Sequence, residues 1–231
     1  MEVNPLTIRA FRSTRGLTGG FAFLLMGVLA MVALTGCGAP AYTYVADDSA
    51  GTFYKVPAQW HEISQQDLSK QIEAEGGSSA GVWLTAFDGN SSPNASDDAS
   101  LTLNEPYVSA QVGELSSTAS SELSYDAMRD MWLPVTSEGQ QAAQESGTFG
   151  GTNFVQLRDQ TITAAQGVHG VRETFDYTFG QNTDTFDEEV LTNADQTELY
   201  VVEIHCSKAC YSQNQSQIDT IMTSFTVGSP T

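Results

Sequence analysis

Positive charge is what this sequence has least of. Nine lysines and arginines stand against 28 aspartates and glutamates in 231 residues, a formal net charge of −19. A surface of that sign repels phosphate backbones, so nucleic acid is excluded as a partner. Histidine is scarce too: His61, His169 and His205 fall in three separate stretches. The chain lacks a Gly-x-Ser-x-Gly elbow, a Walker loop, a dinucleotide fingerprint and a His-Glu-x-x-His pair, which removes the hydrolase, nucleotide-binding and zinc-peptidase classes that those motifs mark. Residues 88–99 are acidic but lack the sixth-position glycine and terminal glutamate of a calcium-binding hand. No cofactor, no metal and no enzymatic activity are therefore expected, and the acidity reads as solubility.

Long apolar runs are missing as well, with one exception at the N-terminus. Arg9, Arg12 and Arg15 precede an uncharged apolar stretch at residues 21–34. That stretch is short for a membrane span, which takes about 20 apolar residues; a positive region, a short apolar core and small residues together form an export signal. It ends in Leu34, Thr35, Gly36 and Cys37, which resembles the bacterial lipobox at all four positions. The resemblance implies a diacylglycerol on the Cys37 sulfur and cleavage just before it, giving a signal peptide at 1–36 and a cell-membrane protein anchored on the extracytoplasmic face through acyl chains. Lipid on Cys37 also removes the liability of a lone exported thiol.

The leader holds three of the nine basic residues and one of the 28 acidic ones, so the remaining 195 residues carry a net −21. That length suits one domain with a real core. Residues 37–50 show no periodicity and are expected to be a lipidated tether, and residues 51–228 a single domain. Within it, residues 89–100, rich in serine, asparagine and aspartate, are expected to be a mobile loop. Asn90, Asn94 and Asn214 match glycosylation acceptors, a modification uncommon where a lipobox operates.

Local signals within the domain mix helix and sheet. A strand before Pro57 leads to a core Trp60, then Ser64 caps a helix with Asp67 at its third position and Gly76-Gly77 closes it. "GVWLTAFD" and "EPYVSAQVGEL" read as strands. A second helix is expected from Ser124, burying Tyr125, Met128 and Trp132 before Pro134 stops it. Further on, Val171, Glu173, Phe175, Tyr177 and Phe179 alternate with Arg172, Thr174, Asp176 and Thr178, a period-two strand. Two more strands follow around a turn at residues 193–195, and Ile218, Ile221, Met222 and Phe225 mark a final helix. Tight turns between strands make the sheet mainly antiparallel, with helices packed on it: an α+β fold.

The segments "YKVPAQW", "GVHGVRETFDY", "CSKACY" and "IDTIMTSF" resemble the actinobacterial LpqN/LpqT-type lipoproteins and the wider PsbP-like fold over roughly residues 50–227. The resemblance implies an α/β/α sandwich with an antiparallel sheet, used as a binding or assembly module at the cell envelope with no shared catalytic centre. Its partner would be an envelope protein, glycan or lipidic ligand.

Two constellations invite chemistry. Cys206 and Cys210, with three residues between, lack the spacing of a dithiol redox centre and the two further ligands of a zinc site, so an exported structural disulfide is expected. His169 or His205 with Glu173 or Glu203 could form a scattered catalytic pair, the basis of an alternative envelope hydrolase or transferase. Glu173 lies on the aromatic side of its strand, where burial raises a carboxyl pKa; the structural alternative is an edge position or a pairing with Arg172 or Arg158.

Overall fold

The computed structural model describes residues 40–49, 51–74, 76–147 and 149–228. Residues 1–36 and Cys37, where the export signal and the lipid site were read, lie outside the described residues. Two antiparallel sheets form the fold. The small one orders as β1 (Tyr42–Asp47), β2 (Thr52–Pro57) and β10 (Thr226–Val227), with β1 and β10 on either side of β2. The large one contains β3 (His61–Ile63), β4 (Val82–Asp88), β5 (Tyr107–Glu114), β6 (Gly151–Thr163), β7 (His169–Phe179), β8 (Asn182–Thr192) and β9 (Glu198–Ser207), in the order β3-β4-β5-β9-β8-β7-β6. The expected α+β class with a mainly antiparallel sheet is the one observed.

One face of the large sheet packs against the small sheet and α5 (Lys208–Ser224). Tyr54 and Val56 of β2, Val108, Val202 and Ile204 of the large sheet, and Ile218, Ile221 and Met222 of α5 are buried in one core. On the opposite face, α1 (Gln65–Ala74) brings Leu68 onto Ala86 and Tyr107. Beside it, α3 (Tyr125–Arg129) brings Met128 onto Val171, Val190 and Val201. Two further helices, α2 (Ser117–Glu122) and α4 (Ser137–Ser146), flank α3 in sequence. The aromatics of β7 do share this face, with Phe175, Tyr177 and Phe186 around Val135.

Caps and turns follow local chemistry. Ser64 Oγ accepts from Asp67 N at 3.2 Å and donates to the Asp67 carboxylate at 2.7 Å, which starts α1 as expected. Gly180 takes φ +65° in the two-residue link between β7 and β8, a left-handed value that a side chain would strain. Asn193 Oδ1 accepts from Thr197 N at 2.8 Å and closes the turn into β9.

Several expectations need correction. Residues 42–47, expected within the tether, form β1, each residue paired with β2, so the fold begins five positions after Cys37. The helix capped by Ser124 ends at Arg129, leaving Tyr125 exposed and Trp132 only partly buried. The cause is Asp130, whose carboxylate accepts from Val135 N at 2.7 Å and Thr136 N at 2.8 Å and folds the chain back on itself. The final helix starts earlier than the apolar stripe suggests, at Lys208, because Ser207 caps it by accepting from Cys210 N. The polar 89–100 segment holds a 3-10 turn, Ala95–Ala99, capped by Asn94. No helix among the described residues is long and apolar enough to cross a membrane.

A candidate functional site: three buried glutamates beneath a cavity

The centre of the large sheet carries an unusual row. Glu173 of β7 pairs in register with Glu188 of β8, and Glu188 with Glu203 of β9. Directly opposed residues share a face with Cβ atoms about 5 Å apart, so three carboxyl groups cross the sheet side by side. They lie on the face covered by α1 and α3. Glu173 and Glu188 are fully buried and Glu203 is 2% exposed.

Partners stand only at the ends of the row. Glu173 Oε1 accepts from Gln156 Nε2 at 3.0 Å and lies 3.6 Å from Arg129 Nε of α3. Its other oxygen has no hydrogen-bond partner, and neither oxygen of Glu188 has one. At the far end, Glu203 Oε1 lies 3.3 Å from His205 Nδ1, but the pair is not aligned for a hydrogen bond. His205 Nε2 donates to the Asp97 carbonyl at 3.1 Å, and its ring stacks on Phe186. The 89–100 segment is thus built into this site through Asp97, although its composition reads as a plain loop.

Burial sets the protonation. It raises the Glu188 pKa well above the ordinary carboxylate value, helped by the charges of Glu203 and Glu173 on either side. Burial likewise lifts Glu173 to about 7, against the Gln156 hydrogen bond and the nearby Arg129 charge. For His205, burial pulls the pKa down, but Glu203, Asp98 and the Asp97 carbonyl more than offset it and the net shift is upward. Burial thus favours the neutral acid at the central carboxyl, with the Arg129 guanidinium near one end of the row and the His205 ring beside the other. A neutral central acid is the arrangement in which like charges at this spacing can coexist.

Beside the row, a cavity of about 170 Å³ opens between α1, the 3-10 turn and Trp132. Leu68, Ile72, Leu84, Val201 and Trp132 supply apolar wall, and Gln71, Ser109 and Gln111 supply polar groups. Ser109 pairs across the strands with Glu203, and Val201 lies two residues before it, so the wall adjoins the end of the row. The four titratable groups themselves do not line it.

The sequence-predicted residues sort unevenly. Glu173, Glu203 and His205 do come together, but His169 lies apart, its Nδ1 donating to the Gly167 carbonyl. Neither Arg172 nor Arg158 pairs with Glu173: both point to the opposite face, toward Asp187. Glu188 went unnoticed. Reflecting Glu173 through the turn at residues 180 and 181 lands on Glu188, and reflecting that through the turn at 193–198 lands on Glu203. That signal was in the sequence once the turns were placed. Cys206 and Cys210 are bonded, with Cα atoms 5.9 Å apart, the first at the end of β9 and the second in the opening turn of α5.

Comparison with protein-family profiles finds no matching family, and comparison with curated protein sequences finds no match. Solved structures do match. The solution structure of cyanobacterial PsbP (CyanoP) from Synechocystis sp. PCC 6803 is similar with a TM-score of 0.51 and 16% identity, covering 84% of this chain and 96% of that one. The Ran-binding protein Mog1p of Saccharomyces cerevisiae gives a TM-score of 0.40 at 9% identity, covering 80% of this chain and 95% of that one. A Pseudomonas aeruginosa protein of unknown function gives 0.38 at 11% identity, with 83% and 100% covered. The fold is PsbP-like.

Proposed function

We propose that this chain is an exported lipoprotein of the LpqN/LpqT type, anchored by acyl chains on Cys37, whose acidic domain is a non-catalytic binding or assembly module at the cell envelope. The observation that carries the module reading is the sealing of the candidate chemistry. Glu173, Glu188, Glu203 and His205 are each 2% exposed or less, so no substrate atom can reach the groups that would act as acid or base. What is open instead is a small cavity of apolar, amide and hydroxyl side chains with the single carboxyl of Asp98 on its wall, which suits a ligand side chain or a partner's protruding residue. The PsbP-like resemblance carries the same expectation of binding and assembly.

The test uses the lipidated full chain in cells, with a photo-crosslinker at Gln71 on the cavity wall and a control crosslinker at Ala142 on α4. One envelope component is expected to be captured from Gln71 and not from Ala142, and to be lost in Trp132→Ala. Turnover of an envelope substrate by the purified domain, abolished by Glu203→Gln in a folded variant, would overturn the reading. The anchor has its own check: the N-terminal peptide of the membrane form should begin at Cys37 with the mass of two or three acyl chains, the number a stable anchor requires.

A further inference from the structure

The register of the small sheet sorts its residues by face. Val45 opposes Tyr54, and both look inward to the core shared with α5, as does Val56, opposite Thr43. The other set looks outward: Tyr42, Tyr44 and Ala46 of β1, with Lys55 and Phe53 of β2 opposite the last two and Thr226 of β10 beside Phe53, while Pro57, opposite Tyr42, is buried. Tyr44 is 79% exposed and Phe53 45% exposed, two of the most exposed large apolar side chains described. Lys55 Nζ sits 4.9 Å over the Tyr42 ring. No aspartate or glutamate lies on this outward face, although 28 occur in the sequence.

We infer that this outward face of the β1–β2 ribbon rests in the lipid headgroup region of the bilayer that holds Cys37. The inference depends on the anchor reading above. Chain length supplies the reason for the occupant: only residues 38–41 separate Cys37 from Tyr42, a link of at most about 17 Å when fully extended. A domain of this size has a radius of gyration of about 16 Å, so so short a link brings the start of β1 to the bilayer. Chemistry agrees with distance. Tyrosine favours the water–lipid boundary, where its ring is buried and its hydroxyl is wet, and a lysine stem extends its ammonium among headgroups. The domain's net negative charge disfavours contact with anionic lipid, and on this face no strand residue is acidic. The acid-free aromatic face is thus placed where the tether delivers it.

The test places one environment-sensitive fluorophore on the full lipidated chain in phosphatidylcholine–phosphatidylglycerol vesicles, at Ala46→Cys on the outward face or at Ala142→Cys on α4. Acylated Cys37 and the Cys206–Cys210 bond leave the new thiol as the single labelling position. The label at 46 should shift to the blue and be quenched severalfold more than the label at 142 by spin-labelled lipid. Tyr44→Ser with Phe53→Ser should bring the quenching at 46 down to the level at 142 while leaving the unfolding midpoint in place, since both side chains are exposed. Equal quenching at 46 and 142, in protein whose Cys37 acylation is confirmed by mass, overturns the inference and leaves the anchor standing. A free Cys37 thiol overturns both. A blue shift that grows with protein density and ignores lipid quencher assigns the face to a second copy of the chain and overturns the inference as well.

Discussion

The two faces of strands β7, β8 and β9 treat buried acids in opposite ways. On the face under α5, Asp187 accepts from Arg172 Nε at 3.0 Å and Nη2 at 2.9 Å, and from the Tyr211 hydroxyl at 2.8 Å. Asp176 accepts from Thr185 Oγ1 and Lys208 Nζ, both at 2.6 Å. Tyr211 and Lys208 belong to α5, so these acids fasten that helix to the sheet alongside the Cys206–Cys210 bond. On the other face, Glu173, Glu188 and Glu203 leave five carboxylate oxygens without a hydrogen-bond partner. A fold that neutralises its acids on one side and stacks them bare on the other shows that the second arrangement is not forced by the sheet. Stability explains the first set; the second costs stability wherever its carboxyls are charged.

The sharpest way to break that comparison is to remove one partner on each face. Arg172→Ala strands Asp187 in a buried site, and the loss should be about 3–5 kcal/mol. Glu188→Gln removes a group whose charged form has no partner, and its unfolding free energy at pH 8 should be unchanged or higher. Urea denaturation monitored by tryptophan fluorescence measures both. Should the two variants lose equal stability, the contrast between the faces would fail.

A pH series probes both faces next. Glu173 on the bare face and Glu189, beside Arg172 on the other, both have pKa values raised from 4.5 to about 7 by burial. Burial raises Glu188 in the same direction. A carboxyl that holds its proton more tightly in the folded state contributes its full stability below about pH 4.5, and loses it as pH rises through the folded value. His205, raised from 6.5, has the same sign: its contribution is present below that value and fades as pH climbs through the folded one. The domain should therefore be most stable in mild acid and lose stability between pH 5 and 8, at a rate approaching about 1.4 kcal/mol per pH unit for each carboxyl that titrates only in the unfolded chain. Glu188→Gln should flatten that decline.

Much of this was legible from periodicity. The alternation in β7 identified which side Glu173 faces, since successive strand residues point to opposite sides of a sheet. The same rule shows why Arg172 could not be its partner: it is the adjacent residue and faces Asp187 instead. The actual neighbour, Arg129, comes from α3 in another layer, and contacts between layers leave no periodic trace along one segment. β1 was hidden because "YTYVAD" lacks a clean apolar alternation, its outward tyrosines matching its inward valine. The helix from Ser124 was overextended for a different reason: its three-residue spacing was real as far as Met128, but the Asp130 side chain competes for the backbone beyond it.

The disulfide sharpens the picture of the fastened face. Cys206→Ala with Cys210→Ala should cost about 2 kcal/mol, the low end for a disulfide, because the closed loop is short. The loss should fall mainly on the α5 amides, read as faster hydrogen exchange there than over α1. Unreduced protein should lose two hydrogens in the mass of the peptide spanning both cysteines, and two alkylatable thiols would contradict the bond.

The smallest expected effects concern the histidines, and they mark where the bare face ends. His61 is exposed on the edge strand β3, so His61→Ala should fall within about 0.5 kcal/mol of the parent. His169 accepts little more restraint: Nδ1 meets the Gly167 carbonyl at 2.9 Å and its ring lies edge-on to Tyr125, so His169→Ala should cost about 1 kcal/mol or less. His205 is different in kind. It is 2% exposed, holds the Asp97 carbonyl and stands beside Glu203, so its removal strands an acid and unpins the 3-10 turn. His205→Gln, which keeps a donor for Asp97 but cannot carry the charge, should retain that turn's hydrogen-exchange protection yet lose stability below pH 7, where the imidazolium faces Glu203. A His205→Gln protein with an unchanged pH profile would mean that the row carries no charge coupling to its neighbour, and that its glutamates are merely buried.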